Sequence, residues 1–220
     1  YALDYAQEMF DFFMAHNLFK LAFNIEEITG AYDQSSLIDK ESRWKQFLQT
    51  MFDCQAQSDK PIVIREFKNM SRALMLADAQ RNHSVTTPFG FINFDVYGNF
   101  STFCFELMAI RNQQYDNFIF GNIMTDPIRS LLHHPKFKQV YTEIQAGISA
   151  CKSSCDYFAV CGGGIPSNKI SENHTFDSTE TMHCRLNVKA LADVLTANRV
   201  QVMPMHPNND AIPITTPNGR

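Results

Sequence analysis

Apolar residues recur at helical spacing at the start of the chain. Leu3, Ala6, Met9, Phe10, Phe13 and Met14 share one face, which predicts an amphipathic helix over residues 2–16. Leu18 to Ile28 is instead a mostly apolar run with Phe19, Leu21, Phe23 and Ile25, the pattern of a buried strand. After the polar stretch 32–40, Trp44, Phe47, Leu48, Met51 and Phe52 restore the helical period. Pro61 opens a second predicted strand, Ile62 to Phe67, and Asn69 or Ser71 is placed to cap a further helix through Ala79. This alternation of helix and strand suits the closing end of an α/β barrel.

From Phe89 the pattern shortens. Phe91–Asp95 and Phe100–Phe103 flank Tyr97-Gly98-Asn99, which predicts a β-hairpin. The apolar run Phe118–Ile123 follows, broken by Gly121-Asn122. Thr125-Asp126-Pro127 starts a helix, and Pro135 starts another that passes Tyr141–Ile148 and delivers the chain to Cys151. The fold class expected is α/β, turning to α+β in the C-terminal half. From about Val200 the chain holds four of its nine prolines among Asn and Thr, which predicts a disordered tail over 199–220.

Composition narrows the functional classes. The 220 residues are 45% apolar and 19% charged with a net charge of −4, and Lys and Arg are scattered. No electrostatic footprint for nucleic acid or an anionic membrane is present. No apolar run approaches the ~18 residues of a membrane span. Asp4, Glu8 and Asp11 interrupt any signal-peptide core. The chain opens at Tyr1 on what reads as an interior helix, so a longer parent protein is expected.

The cysteines carry the candidate chemistry. Cys54 and Cys104 stand alone, whereas Cys151, Cys155, Cys161 and Cys184 fall within 34 residues. Clustered thiols without export signals read as metal ligands of a reducing, cytoplasmic compartment rather than as disulfides. Three thiolates on a compact loop with a distant fourth can close on a zinc ion or a [4Fe–4S] cube, and spacing alone fits the two about equally. Gly162, Gly163 and Gly164 let the backbone approach such a site and aim N–H groups at its sulfurs. Thr179-Glu180-Thr181 is placed to donate hydrogen bonds behind the ligands, and Asn168, Lys169 and Glu180 to brace the loop. His133-His134 looks like a metal pair, but adjacent helical residues do not face one another. Interaction with a helix C-terminus is the expected role.

The run CKSSCDYFAVCGGGIPSNKISENHTFDSTETMHCR from Cys151 to Arg185 resembles the SPASM domain of radical SAM peptide maturases, specifically the cyclophane-forming GrrM/OscB type. The resemblance rests on Tyr157-Phe158 before the third Cys, the Gly162–Lys169 run after it, and Thr179-Glu180-Thr181 before the last Cys. Upstream, Gly98–Phe103 with Glu106-Leu107 and Phe120-Gly121-Asn122-Ile123 are similar to SPASM steps. Phe23–Gly30 is similar to the last strand of the radical SAM barrel. The match covers about residues 19–195.

The resemblance implies the end of a partial radical SAM (β/α) barrel over 1–82, a SPASM auxiliary-cluster domain over 83–198, and one auxiliary [4Fe–4S] cluster held by Cys151, Cys155, Cys161 and Cys184. Phe103 and Ile165 stand where related chains place ligands of a second auxiliary cluster, and Cys104 is one residue out of register, facing the opposite way on a strand. The SAM-cleaving cluster of the family sits in a Cys-x3-Cys-x2-Cys loop, whereas here Cys155 is followed by five residues before Cys161. SAM and that second [4Fe–4S] cluster are therefore expected in an N-terminal part outside this chain.

The implied parent enzyme uses a 5′-deoxyadenosyl radical to take a β-hydrogen from a ribosomally made precursor peptide. The carbon radical then bonds to an aromatic side chain, and rearomatisation releases one electron and one proton. An external electron donor or acceptor is expected as a partner. Glu106 is the candidate proton acceptor, against the plainer role of a solvated carboxylate. Asn24 and Glu26, on one face of the last barrel strand, are the candidates for approaching SAM, against local capping; Glu27 takes the other face. The alternatives are a zinc-stapled peptide- or protein-binding module without catalysis, and a SPASM maturase of different chemistry, thioether formation or dehydrogenation.

Overall fold

The computed structural model describes residues 2–30, 32–76 and 83–198, and the expectations for 199–220 and for Ala79 lie outside them. The chain forms two units: one from residues within 1–25, 37–79 and 183–220, the other from residues within 26–36 and 80–182.

In the first unit the N-terminal periodicity gives α1 (Ala6–Ala15), and the Trp44–Phe52 pattern gives the longer α2 (Glu41–Gln57). Between them lies β1 (Lys20–Leu21), paired in parallel with β2 (Val63–Ile64). Both are shorter than the apolar runs suggest. The second run is cut off because α3 (Arg65–Met75) starts at Arg65, and Phe67, Met70 and Ser71 turn inward at helical spacing. Phe67 therefore belongs to a helix rather than a strand. Asn69 and Ser71 lie inside that helix, and Ile64 holds the cap position. With β2 limited to two residues, Leu18–Ile28 finds ladder partners among the described residues only at Lys20 and Leu21.

The unit closes on the end of the described chain, where a π-helical stretch, Cys184–Lys189, runs into the helix Ala190–Ala197. Leu191, Val194 and Leu195 pack into the core that α2 builds from Leu48, Met51 and Phe52. Trp44 stacks on Phe47 with centroids 5.4 Å apart and donates its indole N–H to the Leu186 carbonyl at 3.0 Å. Arg185 meets Glu41 at 2.7 Å and Lys45 meets Asp193 at 2.7 Å, so charged pairs rim this contact.

The second unit starts from the expected hairpin. β3 (Ile92–Phe94) pairs antiparallel with β4 (Asn99–Thr102), which pairs with β5 (Gly121–Asn122). The Asp95 carboxylate accepts the N–H groups of Tyr97 and Asn99, each at 2.9 Å, and fastens the turn. β4 ends early because Phe103 adopts a left-handed backbone, φ +72°. Phe103 and Cys104 consequently both enter the core, at 0% and 1% exposure, instead of alternating between faces. This corrects the expectation drawn from Cys104's register.

A 3-10 helix, Ile128–His133, leads into α4 (Pro135–Ser154), with Pro135 in the first turn and His134 as the cap. The His134 ring nitrogen Nδ1 accepts the Lys136 N–H at 3.2 Å, so this histidine serves a helix N-terminus rather than the C-terminus expected for it. α4 is followed by the single turn α5 (Phe158–Cys161) and by α6 (Pro166–Asn173). The sheet, α4 and the loop after α6 enclose an aromatic core of Phe100, Phe103, Phe118, Phe120, Phe137 and Phe176. Phe103 stacks on Phe137 at 5.8 Å and on Tyr141 at 6.2 Å.

Candidate metal centre

The buried stripe of α4 runs Phe137, Val140, Ile144, Gly147 and Cys151, a continuous helical face. Cys151 thus sits on a helix, buried on its last turn, and not on the loop expected from the cysteine spacing. Cys155 is the C-cap of α4, its N–H donating to the Cys151 carbonyl at 2.9 Å. Cys161 ends α5, which stops at Gly162 in the left-handed conformation, φ +67°, with its N–H on the Phe158 carbonyl at 2.7 Å.

Gly163 and Gly164 follow at φ +108° and +83°. Three successive left-handed residues cost L-amino acids strain that glycine avoids. The course they set brings Gly163 against α4 so closely that a Cβ there would lie 2.9 Å from Ile148 Cγ1. The Gly163 N–H then donates to Cys161 Sγ at 3.5 Å, and the Gly163 carbonyl lies 3.8 Å from Cys151 Sγ. One backbone N–H of the glycine run thus points at a thiol, that of Cys161, whereas at Cys151 the backbone presents a carbonyl oxygen.

α6 supplies the next layer. Asn168, 1% exposed, donates its amide to Glu27 at 2.9 Å and leaves its own carbonyl oxygen buried without a partner. Lys169, 3% exposed, sends its ammonium to 3.6 Å from Cys151 Sγ. Further along, Asn173 donates to the Glu180 carbonyl at 2.9 Å, and the Glu172 carboxylate accepts the Met182 N–H. Glu180 therefore contributes backbone, and the segment before Cys184 is tied to α6. Cys184 opens the π-helical stretch in the first unit, partly exposed. Single π turns inside α-helices are frequent at functional sites.

Burial pushes the Cys151 thiol up from its ordinary range, the Lys169 ammonium opposes that rise, and charge at Cys161 and Cys155 adds to it. All six cysteines are free thiols. Among the described residues no three His, Cys, Asp or Glu side chains are drawn together as one ion would draw them. The donor chemistry nevertheless fits an iron–sulfur cluster. The Cys161 sulfur faces a backbone N–H and the Cys151 sulfur an ammonium, beside a stretch of backbone stripped of Cβ atoms.

The remaining candidates lie apart from these thiols in role. Asn24 accepts from the Arg65 guanidinium at 2.5 Å in the first unit. Glu26, in the second, is held below the usual carboxylate range by hydrogen bonds from the Ser36 side chain and from the Ser36 N–H, the latter at 2.7 Å. Neither lies on a strand, since β1 ends at Leu21, so the shared face expected for them is absent. Glu106 lies half-buried on a 3-10 helix, Phe105–Ala109. Cys104 lies in the core with its thiol near the Val85 carbonyl, at 3.9 Å. Glu27 likewise lies off any strand. Its link to Asn168 spans 141 positions, and no local pattern signals it.

No family model matches the chain, and no solved structure matches it. It is 39% identical over 196 residues to a protein of Synechocystis sp. described as uncharacterized, covering 88% of this chain and 49% of the relative. The chain spans about half the length of the curated relative it matches. Among the described residues no helix is long and apolar enough to cross a membrane.

Proposed function

We propose that the chain is the C-terminal portion of a cytoplasmic radical SAM enzyme that crosslinks a ribosomally made precursor peptide, and that it holds one auxiliary [4Fe–4S] cluster. The proposed ligands are Cys151, Cys155 and Cys161 from the α4–α5 segment, with Cys184 assigned as the fourth from the sequence. The observation that carries the reading is the Cys161–Gly164 turn, whose left-handed backbone directs N–H toward sulfur beside a buried ammonium. A zinc site with four thiolates is closed and redox-inert. The extra donors aimed at sulfur are the means by which a protein adjusts a cluster that changes charge.

When bound, the cluster supplies a one-electron acceptor for the rearomatisation that follows C–C bond formation in cyclophane closure. The chain's own residues hold and tune that acceptor. Gly162 to Gly164 let backbone reach the sulfurs, and Asn173 and Glu172 anchor the approach to Cys184. Glu106 is the proposed receiver of the ring proton, and Asn24 and Glu26 are proposed to approach SAM in the complete enzyme. The proposed fold follows the same reading: the first unit derives from the end of a radical SAM barrel, and the second from a SPASM domain.

Anaerobic reconstitution with iron and sulfide tests the proposal. Expected are about four iron and four sulfide per chain with a broad visible band, lost in Cys161→Ala and in Cys184→Ala. One tightly held zinc with no colour would overturn it and leave a zinc-stapled binding module.

A further inference from the structure

Lys169 is a lysine in the wrong place for a solvent-facing charge. It is 3% exposed and lies on α6, four residues beyond the Ile165 cap, with its N–H on the Ile165 carbonyl at 3.2 Å. Its side chain runs over Gly164, where an added Cβ would meet Cε at 3.5 Å, and ends at Gly147, where an added Cβ would lie 2.9 Å from Nζ. The same point at Gly147 is 2.2 Å from the Phe176 carbonyl oxygen and 3.0 Å from that of Ser178. Two glycines thus clear a slot for the lysine stem, and carbonyl oxygens share the corner with its head. Within that corner the ammonium meets Cys151 Sγ at 3.6 Å.

Taking an ammonium out of water costs several kcal/mol unless charge and hydrogen bonds offset it. A neutral thiol adds little, whereas a sulfur that carries negative charge adds much more. The geometry is therefore suited to an anionic sulfur at position 151.

We propose that Lys169 is the charge partner of the Cys151 sulfur and sets the reduction potential of the auxiliary cluster; the inference rests on the iron–sulfur reading above. Four thiolates give an oxidised [4Fe–4S] centre a net charge of about −2, and one-electron reduction takes it to about −3. A fixed positive charge at 3.6 Å stabilises the more negative state more. Lys169 thereby makes the cluster a better acceptor for the single electron released on rearomatisation. It is a positioning residue: it touches a ligand and acts through it.

The test is the midpoint potential of the reconstituted chain, read by EPR-monitored titration, for wild type, Lys169→Met and Lys152→Met. Lys152 adjoins Cys151 in sequence but is exposed, so solvent screens it. Removing the buried charge is expected to make the cluster about tenfold harder to reduce, a fall of about 59 mV for one electron. Lys152→Met is expected to change it much less. A second measurement needs no variant at Lys169. Pulsed EPR of the reduced chain carrying 15N-labelled lysine is expected to show a nitrogen coupling that survives Lys152→Arg. An unchanged potential in a cluster-loaded Lys169→Met chain, or no 15N coupling, would overturn the inference and leave the iron–sulfur reading intact. A wild-type chain that holds zinc and no iron overturns both.

Discussion

The side-chain amide of Asn168 donates to the carboxylate of Glu27 at 2.9 Å, joining the first turn of α6 to a segment 141 positions earlier in the chain. Both residues belong to the second unit. The bond holds the segment after Gly164 against residues 26–36 and so helps fix where Lys169 points. Asn168→Ala removes the donor and is expected to destabilise the chain by about 1–3 kcal/mol. Asn168→Asp sets a carboxylate against a carboxylate and should cost more than the alanine variant. Urea unfolding checks the order; an aspartate variant as stable as wild type would show that the contact carries no weight.

Gly147 makes the closest approach in the site. A methyl group there would lie 2.2 Å from the Phe176 carbonyl oxygen, a backbone atom that cannot swing aside. Gly147→Ala would ordinarily stabilise a helix interior by roughly 0.5–1 kcal/mol. Here the clash must push α4 from the 176–178 loop, and overpacking of this kind costs about 1–3 kcal/mol. The expected net result is a lower melting temperature and, after reconstitution, less iron per chain. A rise in melting temperature would contradict the packing described.

Burial pushes the Cys104 thiol up to about 11, against an ordinary value of 9.0, and hydrogen bonds with Ser167 oppose that rise. The folded state therefore favours the protonated thiol. Its contribution to stability is fully present below pH 9.0 and is lost as pH rises through about 11. Cys104→Ser replaces the thiol with a group that does not titrate there. Its stability is expected to fall less steeply over that window than that of wild type, whatever the two absolute stabilities. At pH 8 Cys104 should also be the last thiol alkylated by iodoacetamide in the folded chain.

The features legible in the sequence are those whose cause is local. The hairpin is written in Asp95 and Gly98, because turn chemistry acts over four residues. α2 is written in the spacing of Trp44 to Phe52. By contrast Ile62–Phe67 is an apolar run short enough to suit either strand or helix, and Phe67, Met70 and Ser71 decide it only by packing inward together. Cys151 was hidden for a related reason. Cys-Lys-Ser-Ser has the polarity of a loop, yet Cys151 continues the buried stripe from Phe137 through Gly147. Lys169 was legible as a brace of the loop, but its contact with Cys151, like that of Glu27 with Asn168, was not. Their roles depend on what α6 meets across the unit, and no spacing rule reaches that far.

The last prediction concerns what the chain does by itself. Cys151-x3-Cys155 is followed by five residues before Cys161. α5 starts inside that interval, at Phe158, and ends on Cys161, so the three thiols cannot form the tight Cys-x3-Cys-x2-Cys cradle of a SAM-cleaving cluster. If Cys184 completes the set, every iron of the cube is capped by a thiolate, and none stays open to bind and cleave SAM. The reconstituted chain, reduced with dithionite and given SAM, is therefore expected to release no 5′-deoxyadenosine by mass spectrometry. Cys184→Ala is the informative control, since uncapping one iron without a SAM pocket should still yield none. Steady release from the wild-type chain would place an open-iron cluster at these cysteines and overturn their assignment as an auxiliary site.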